Sequence, residues 1–224
     1  MSQEPSASRS PSLLENPVLR GGIATAVIVA IVAALLVVRA GRGSGSDEGA
    51  GAEVTPAATE YGGAVYTLCG DDVPEAAAAG GGPPVIGQAP PDFALCDADG
   101  AFVTTLSGMK GKVVWLNFWA TWCVPCKKEL PDIQKLYDEK RAEGLDVLII
   151  NYKESEGKAL EFLPQIGISL PLVIDRPGAI YERYRLTGLP DSFFIDREGK
   201  LAALYYGFVN EEIARERLAD AGME

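Results

Sequence analysis

Val113-Val114-Trp115-Leu116-Asn117-Phe118-Trp119-Ala120-Thr121-Trp122-Cys123-Val124-Pro125-Cys126-Lys127-Lys128-Glu129-Leu130-Pro131 decides the fold. Its first part, Val113–Phe118, is a nearly continuous apolar run, the pattern of a strand buried on both faces. Its second part turns helical: over residues 124–143, Leu130, Ile133 and Tyr137 recur at spacings of three and four with charges between them. Two cysteines stand where the strand ends and the helix begins. Residues three apart in a first helical turn share a side, and a Cα separation of about 5–6 Å is what a disulfide requires. Cys123 falls at the helix N-terminus, where unpaired N–H groups and the dipole favour a thiolate. Cys126, one turn deeper, is then the resolving thiol, and Pro125 fits a first-turn position that needs no donor. Exchange between thiols and disulfides needs one accessible low-pKa sulfur and a second within reach. The segment supplies both, with Trp122 beside the first as a substrate-contact candidate.

Outward from this segment, short apolar runs alternate with helical patterns. Phe93–Cys96 and Phe102–Leu106 read as strands around the turn Asp97-Ala98-Asp99-Gly100. Leu145–Tyr152 reads as a second buried strand, Gly157–Ile166 as a helix, Leu172–Ile174 as a short strand and Ala179–Tyr184 as a helix. Ser192–Ile195 and Leu201–Tyr206 flank the turn Asp196-Arg197-Glu198-Gly199 as a hairpin, and Glu211–Ala219 closes as a helix. The pattern predicts an α/β domain: a central mixed sheet with helices on both faces.

The chain has 224 residues and a net charge of −11, with no histidine. Lacking His, it has no Ser-His or Cys-His catalysis, no His-ligated zinc or copper, and no haem site of the C-x-x-C-H kind. An acidic chain without a basic cluster is not a nucleic-acid binder, because phosphate binding is driven largely by Lys and Arg. Gly21–Val38 is uncharged, rich in Val, Ile, Ala and Leu, and bracketed by Arg20 and Arg39. As a helix it would span about 27 Å, close to a bilayer core. It is longer than the apolar region of a cleaved signal peptide, and Val38-Arg39-Ala40 makes a poor cleavage site. Residues 1–20 are therefore expected as a short cytoplasmic tail, 21–38 as a transmembrane anchor, 39–82 as a flexible acidic tether and 83–224 as the folded domain. Residues 43–82 hold seven acids and no Lys or Arg. Within the tether, Tyr61–Leu68 is mildly strand-like and leads to Cys69, a weak signal for a stretch that packs on the domain.

The segment Trp115–Pro131 resembles the active-site region of thioredoxin-like proteins, most of all the TlpA/ResA-like branch of membrane-anchored bacterial thiol–disulfide oxidoreductases. The resemblance runs over about residues 85–220, starting at Gly87-Gln88-Ala89-Pro90-Pro91-Asp92-Phe93. It includes Gly188-Leu189-Pro190-Asp191-Ser192-Phe193-Phe194-Ile195-Asp196, which matches the family segment carrying a cis-proline opposite the C-x-x-C. It implies a thioredoxin-like fold with Cys123 as attacking and Cys126 as resolving thiol. Pro190 would shape a substrate groove, and the backbone of Leu189 would pair with an extended substrate. Glu129 matches an acid this branch carries just after the motif, where it would oppose thiolate formation and exchange protons during turnover; a solvated acid in a Lys-Lys-Glu run is the alternative. Asn117 replaces the buried Asp that cytosolic thioredoxins place on the preceding strand.

Cys69 and Cys96 remain. An even count in an exported domain predicts a second, structural disulfide between them. Free thiols, an intermolecular bond or a second redox pair are the alternatives. The reading is thus an extracytoplasmic, membrane-anchored monomer without metal or cofactor. It would reduce disulfides of cysteine-containing proteins, apocytochrome c among them, and be recharged by a membrane electron donor. The competing class is a thiolate metal-binding module, a zinc protein or copper carrier, built on the same cysteines.

Overall fold

The computed structural model describes residues 62–69 and 83–224. In chain order its elements are β1 (Val65–Leu68), β2 (Ala94–Cys96), β3 (Phe102–Thr105), β4 (Val113–Trp119), α1 (Val124–Lys140), β5 (Leu145–Tyr152), α2 (Glu156–Gln165), β6 (Leu172–Asp175), α3 (Ala179–Arg183), β7 (Asp191–Ile195), β8 (Leu201–Tyr206) and α4 (Glu211–Asp220). The expected tail, anchor and most of the tether lie outside the described residues. Among the described residues no helix is long and apolar enough to cross a membrane.

The strands form one mixed sheet in the order β3-β2-β1-β6-β5-β4-β7-β8. β4, β5, β6 and β1 run parallel to one another, and β7 returns antiparallel on β4. Side chains alternate across a strand, so the apolar run of β4 feeds two cores at once. Val113, Trp115 and Trp119 join Leu130, Ile133 and Leu136 of α1, Ala159 and Leu163 of α2, and Ala214 and Leu218 of α4. Val114, Leu116 and Phe118 join Ile180 of α3, Tyr184, Phe93 and Leu106 on the other face. The helices therefore lie on both faces, as the alternation of patterns predicts. All seven residues of β4 are buried, and the single polar one, Asn117, falls on the α1 side by this alternation.

One boundary differs from the sequence reading. Residues 65–68 fall within the expected tether, and their mild strand character is real: β1 sits inside the sheet, parallel to β6 and antiparallel to β2, so the folded domain takes in residues before 83. Four residues are too few for alternation to stand out. What fixes β1 is pairing on both edges, together with Val65 packing on one core and Tyr66 and Leu68 on the other. At its end, Cys69 is bonded to Cys96 of β2, with a Cα–Cα distance of 5.1 Å across 27 residues of chain. Because β2 and β3 reach the rest of the sheet through β1, this bond staples that three-stranded edge. Closing a loop of that length should contribute about 3–4 kcal/mol. Urea denaturation of the Cys69→Ser, Cys96→Ser double variant is expected to show a loss of that size, with exchange activity at the other pair retained. Alkylation of Cys69 in the oxidised wild type would contradict the bond.

Candidate active site

The C-terminal end of β4 runs through Ala120-Thr121-Trp122 into α1. Cys123 is the N-cap of that helix: its backbone is extended (φ −81°, ψ 105°) and its Sγ accepts the Cys126 N–H at 3.2 Å. A sulfur thus occupies the place where a capping oxygen usually takes an orphan N–H. Val124 and Pro125 open the first turn, and Pro131 sits within α1 without ending it. Cys123 and Cys126 are joined in a disulfide with Cα atoms 5.3 Å apart. Cys123 is 3% exposed and Cys126 not at all, whereas Trp122 is 60% exposed. A partner approaching the recessed sulfur meets Trp122 first.

The loop that carries the cysteines is held from the side. Glu154, just after β5, accepts the Thr121 N–H at 2.7 Å, the Thr121 hydroxyl at 2.6 Å and the Asn151 amide at 3.0 Å, and it pairs with Lys158. Burial raises its pKa, but the hydrogen bonds from Lys158, Thr121 and Asn151 outweigh that and hold it below the ordinary glutamate value. It is a fixed anion anchoring the turn before Cys123. In the sequence it stands in Lys153-Glu154-Ser155-Glu156 with no mark to separate it from a surface loop.

Glu129, three residues past Cys126 on the same side of α1, is fully buried rather than solvated. Oε1 accepts from Asn117 Nδ2 at 2.7 Å and Oε2 from the Val209 N–H at 2.9 Å. Asn117 also donates to Ser192 Oγ, which takes the Trp115 indole N–H at 2.9 Å. Burial raises the Glu129 pKa, with Asp191 adding to the push against the two hydrogen bonds, and it reaches about 8. So Asn117, in the strand position where cytosolic thioredoxins carry Asp, is the residue that grips this acid. Asp191 is a second buried carboxyl that the sequence reading quoted but gave no role; burial lifts it to about 6 against a hydrogen bond from Gly207.

Asp191 follows Pro190, and the Leu189–Pro190 bond is cis. Gly207, just past β8, reaches across to donate its N–H to Pro190 O at 2.8 Å and to Asp191 Oδ1 at 3.2 Å. Its φ of 101° is open to glycine with little strain. Phe118 of β4 pairs with Asp191 of β7, so this loop and the loop of Cys123 leave the same end of neighbouring strands. Pro190 is buried and Leu189 half-buried, touching both cores.

The four cysteines do not converge on one ion. β1 and β4 are separated by β6 and β5, about 14 Å at the usual strand spacing, and each cysteine is bonded to its own near partner. The competing metal module thus lacks a four-thiolate geometry.

A C-x-x-C disulfide at the N-terminus of a helix, at the end of a central strand of a mixed sheet and beside a cis-proline loop, defines a thioredoxin-like thiol–disulfide oxidoreductase. The chain belongs to the AhpC/TSA family, whose pattern matches residues 86–204. It is 35% identical over 133 residues to the thiol-disulfide oxidoreductase ResA of Geobacillus thermodenitrificans, covering 59% of this chain and 76% of that one. A solved structure assigned as the thiol:disulfide interchange protein DsbE of Chlorobium tepidum is similar at 34% identity and a TM-score of 0.56, covering 62% of this chain and 98% of that one. The exposed lipoprotein thioredoxin of Streptococcus pneumoniae is similar at 32% identity and a TM-score of 0.50, over 58% of this chain and 98% of that one.

Proposed function

We propose that this oxidoreductase works outside the cytoplasm, tethered by residues 21–38, and that it reduces disulfides of cysteine-containing proteins, apocytochrome c before haem attachment among them. The observation that carries the reductive direction is the pair of buried carboxyls, Glu129 and Asp191, beside the helix that starts at Cys123. An ionised carboxylate near the thiols disfavours thiolate, Asp191 above about pH 6 and Glu129 above about pH 8, and a couple whose reduced form is less stabilised is a stronger reductant.

In this reading the Cys123 thiolate attacks one sulfur of the substrate disulfide. A mixed disulfide forms, and the second substrate sulfur leaves as a thiolate that takes a proton. Cys126 then gives up its proton and attacks Cys123 Sγ, closing the internal disulfide and releasing the first substrate sulfur as a thiol. Two electrons pass from the Cys123/Cys126 pair to the substrate. Glu129, one helical turn from Cys126 and titrating near neutrality, exchanges the proton that Cys126 gives up. Trp122, Leu189 and the cis Pro190 form the substrate contact, and a membrane electron donor restores the dithiol. The lipoprotein described as exposed among the similar structures supports an outside location.

One experiment tests side and direction together. Intact bacterial cells producing the full chain are treated with a membrane-impermeant maleimide, without added reductant. Labelling of Cys123 is expected, because the pair faces outward and rests as thiols. Labelling only after an external reductant would make the protein an oxidant. Absence of labelling even then, with labelling restored on lysis, would place the domain inside.

A further inference from the structure

The domain is acidic as a whole, but its redox end is not. Trp119, Asn151 and Ile174 lie in register across β4, β5 and β6, so the residues just beyond them crowd around the C-terminal edge from which Cys123 projects. Lys153 and Arg176 stand two residues beyond that row, on adjoining turns joined by the Lys153 N–H to Asp175 O bond of 3.1 Å. Lys127 and Lys128 follow Cys126 directly, and Arg185 stands in the loop leading to Pro190. Lys128, Lys153, Arg176 and Arg185 are exposed. Among the described residues Lys127, Lys128, Arg176 and Arg185 join no ion pair with an acid, and Lys127 Nζ lies 5.7 Å over the Phe162 ring.

The acids at this end are withdrawn or outnumbered. Glu154 and Asp191 are buried, and Glu182 is taken by Lys153 at 3.4 Å, leaving Glu156 and Glu161 of α2. The opposite end mixes both signs, its turns holding Asp97, Asp99, Glu143 and Glu198 together with the exposed Lys110, Lys112, Arg141, Arg197 and Lys200. At the redox end Lys128, Arg176 and Arg185 are exposed and join no ion pair with an acid among the described residues. Beside the active-site turn is a groove of about 320 Å³ lined by Thr121, Lys127, Lys158, Glu161, Phe162 and Gln165. It offers a seat for a carboxylate against Lys127 while Trp122 and Val124, 60% and 59% exposed, meet apolar atoms next to the substrate sulfur.

We propose that this face docks protein substrates whose cysteines are flanked by acidic residues. The proposal rests on the oxidoreductase reading and names its substrate class. A polypeptide fits better than a lipid surface, because the cations surround a recessed sulfur that the partner's own sulfur must reach. Opposite charge on the approaching chain raises the encounter rate, and salt removes that gain.

The test uses the reduced full-length chain in a neutral detergent and three cysteine peptides, each with an internal disulfide and flanks of Asp, Lys or Ser. At about 20 mM salt the Asp-flanked peptide is expected to be reduced about ten-fold faster than the Lys-flanked one, and at about 0.5 M salt the ratio should approach one. In the Lys128→Glu, Arg176→Glu, Arg185→Glu variant the preference should invert while the Ser-flanked peptide reacts as before, which also shows the variant is folded. Equal rates for Asp and Lys flanks in the wild type, a Lys preference, or a ratio indifferent to salt would overturn the proposal. So would a lipid site: phosphatidylglycerol in the micelles blocking the Ser-flanked reaction of the wild type but not of the variant, with flanks undiscriminated. If no peptide is reduced at all, the oxidoreductase reading itself falls.

Discussion

The Cys126→Ser variant is expected to accumulate as a covalent adduct with its substrate through Cys123, while Cys123→Ser loses exchange down to the uncatalysed background. The asymmetry follows from the helix start. Cys123 Sγ takes the Cys126 N–H at 3.2 Å, a hydrogen bond from backbone, so it survives replacement of the Cys126 side chain. The attacking thiolate keeps its stabilisation, the mixed disulfide forms, and no second sulfur is present to release it. Cys123→Ser puts a hydroxyl at the N-cap, one of the best residues there, so α1 should fold and the loss should be chemical. Non-reducing gels followed by peptide mapping read the result. Equal trapping by both variants would mean that the roles of the two sulfurs are interchanged or shared.

Replacing Glu129 with Gln should stabilise the oxidised protein by about 2–3 kcal/mol at pH 7. The Glu129 pKa is raised from 4.5 to about 8, chiefly by burial. Between those values the native state holds a proton that the unfolded chain has given up, so stability falls as pH rises through this window and levels off above about pH 8. Gln has no such proton, and its amide fits once the Asn117 amide turns over: it accepts the Val209 N–H and donates to Asn117 Oδ1, which then replaces the Nδ2 that now faces Glu129. Asp191 contributes its own slope between 3.8 and about 6 in both proteins, so the difference between their stability curves isolates Glu129. Denaturant melts from pH 4 to 9 should show the gain of the variant growing up to about pH 8 and vanishing near pH 4. A constant difference would mean that Glu129 titrates normally. In the same variant the Cys123 pKa should fall and the couple become more oxidising, because the Glu129 carboxylate that opposes the thiolate above about pH 8 is gone. A parallel thiolate absorbance titration reads this directly.

What made the fold legible is that its signals are local. The apolar run of Val113–Phe118, the period of Leu130, Ile133 and Tyr137, and the turns at Asp97–Gly100 and Asp196–Gly199 each declare themselves within a few residues. The structure returns those elements with ends shifted by a residue or a turn. The strand-to-helix position of Cys123 and Cys126 is local as well, so their bond was predictable from spacing alone. β1 shows in the sequence only as a mildly strand-like stretch, and its place in the sheet does not: its four residues carry little alternation, and its partners Leu172–Ile174 and Leu95–Cys96 come from distant parts of the chain.

By itself the sequence determined the α/β class, the redox pair, and the absence of any histidine chemistry, because composition and short-range periodicity need no partner to be read. Tertiary structure alone decided the character of the site around that pair. Glu129 is one acid in a Lys-Lys-Glu run until Asn117 and Val209, 12 and 80 residues away, enclose it. Glu154 is a loop acid until Thr121, 33 residues off, gives it two hydrogen bonds. Burial and hydrogen-bond partnership set a carboxyl's proton affinity, and both arise only when segments remote in sequence are brought together.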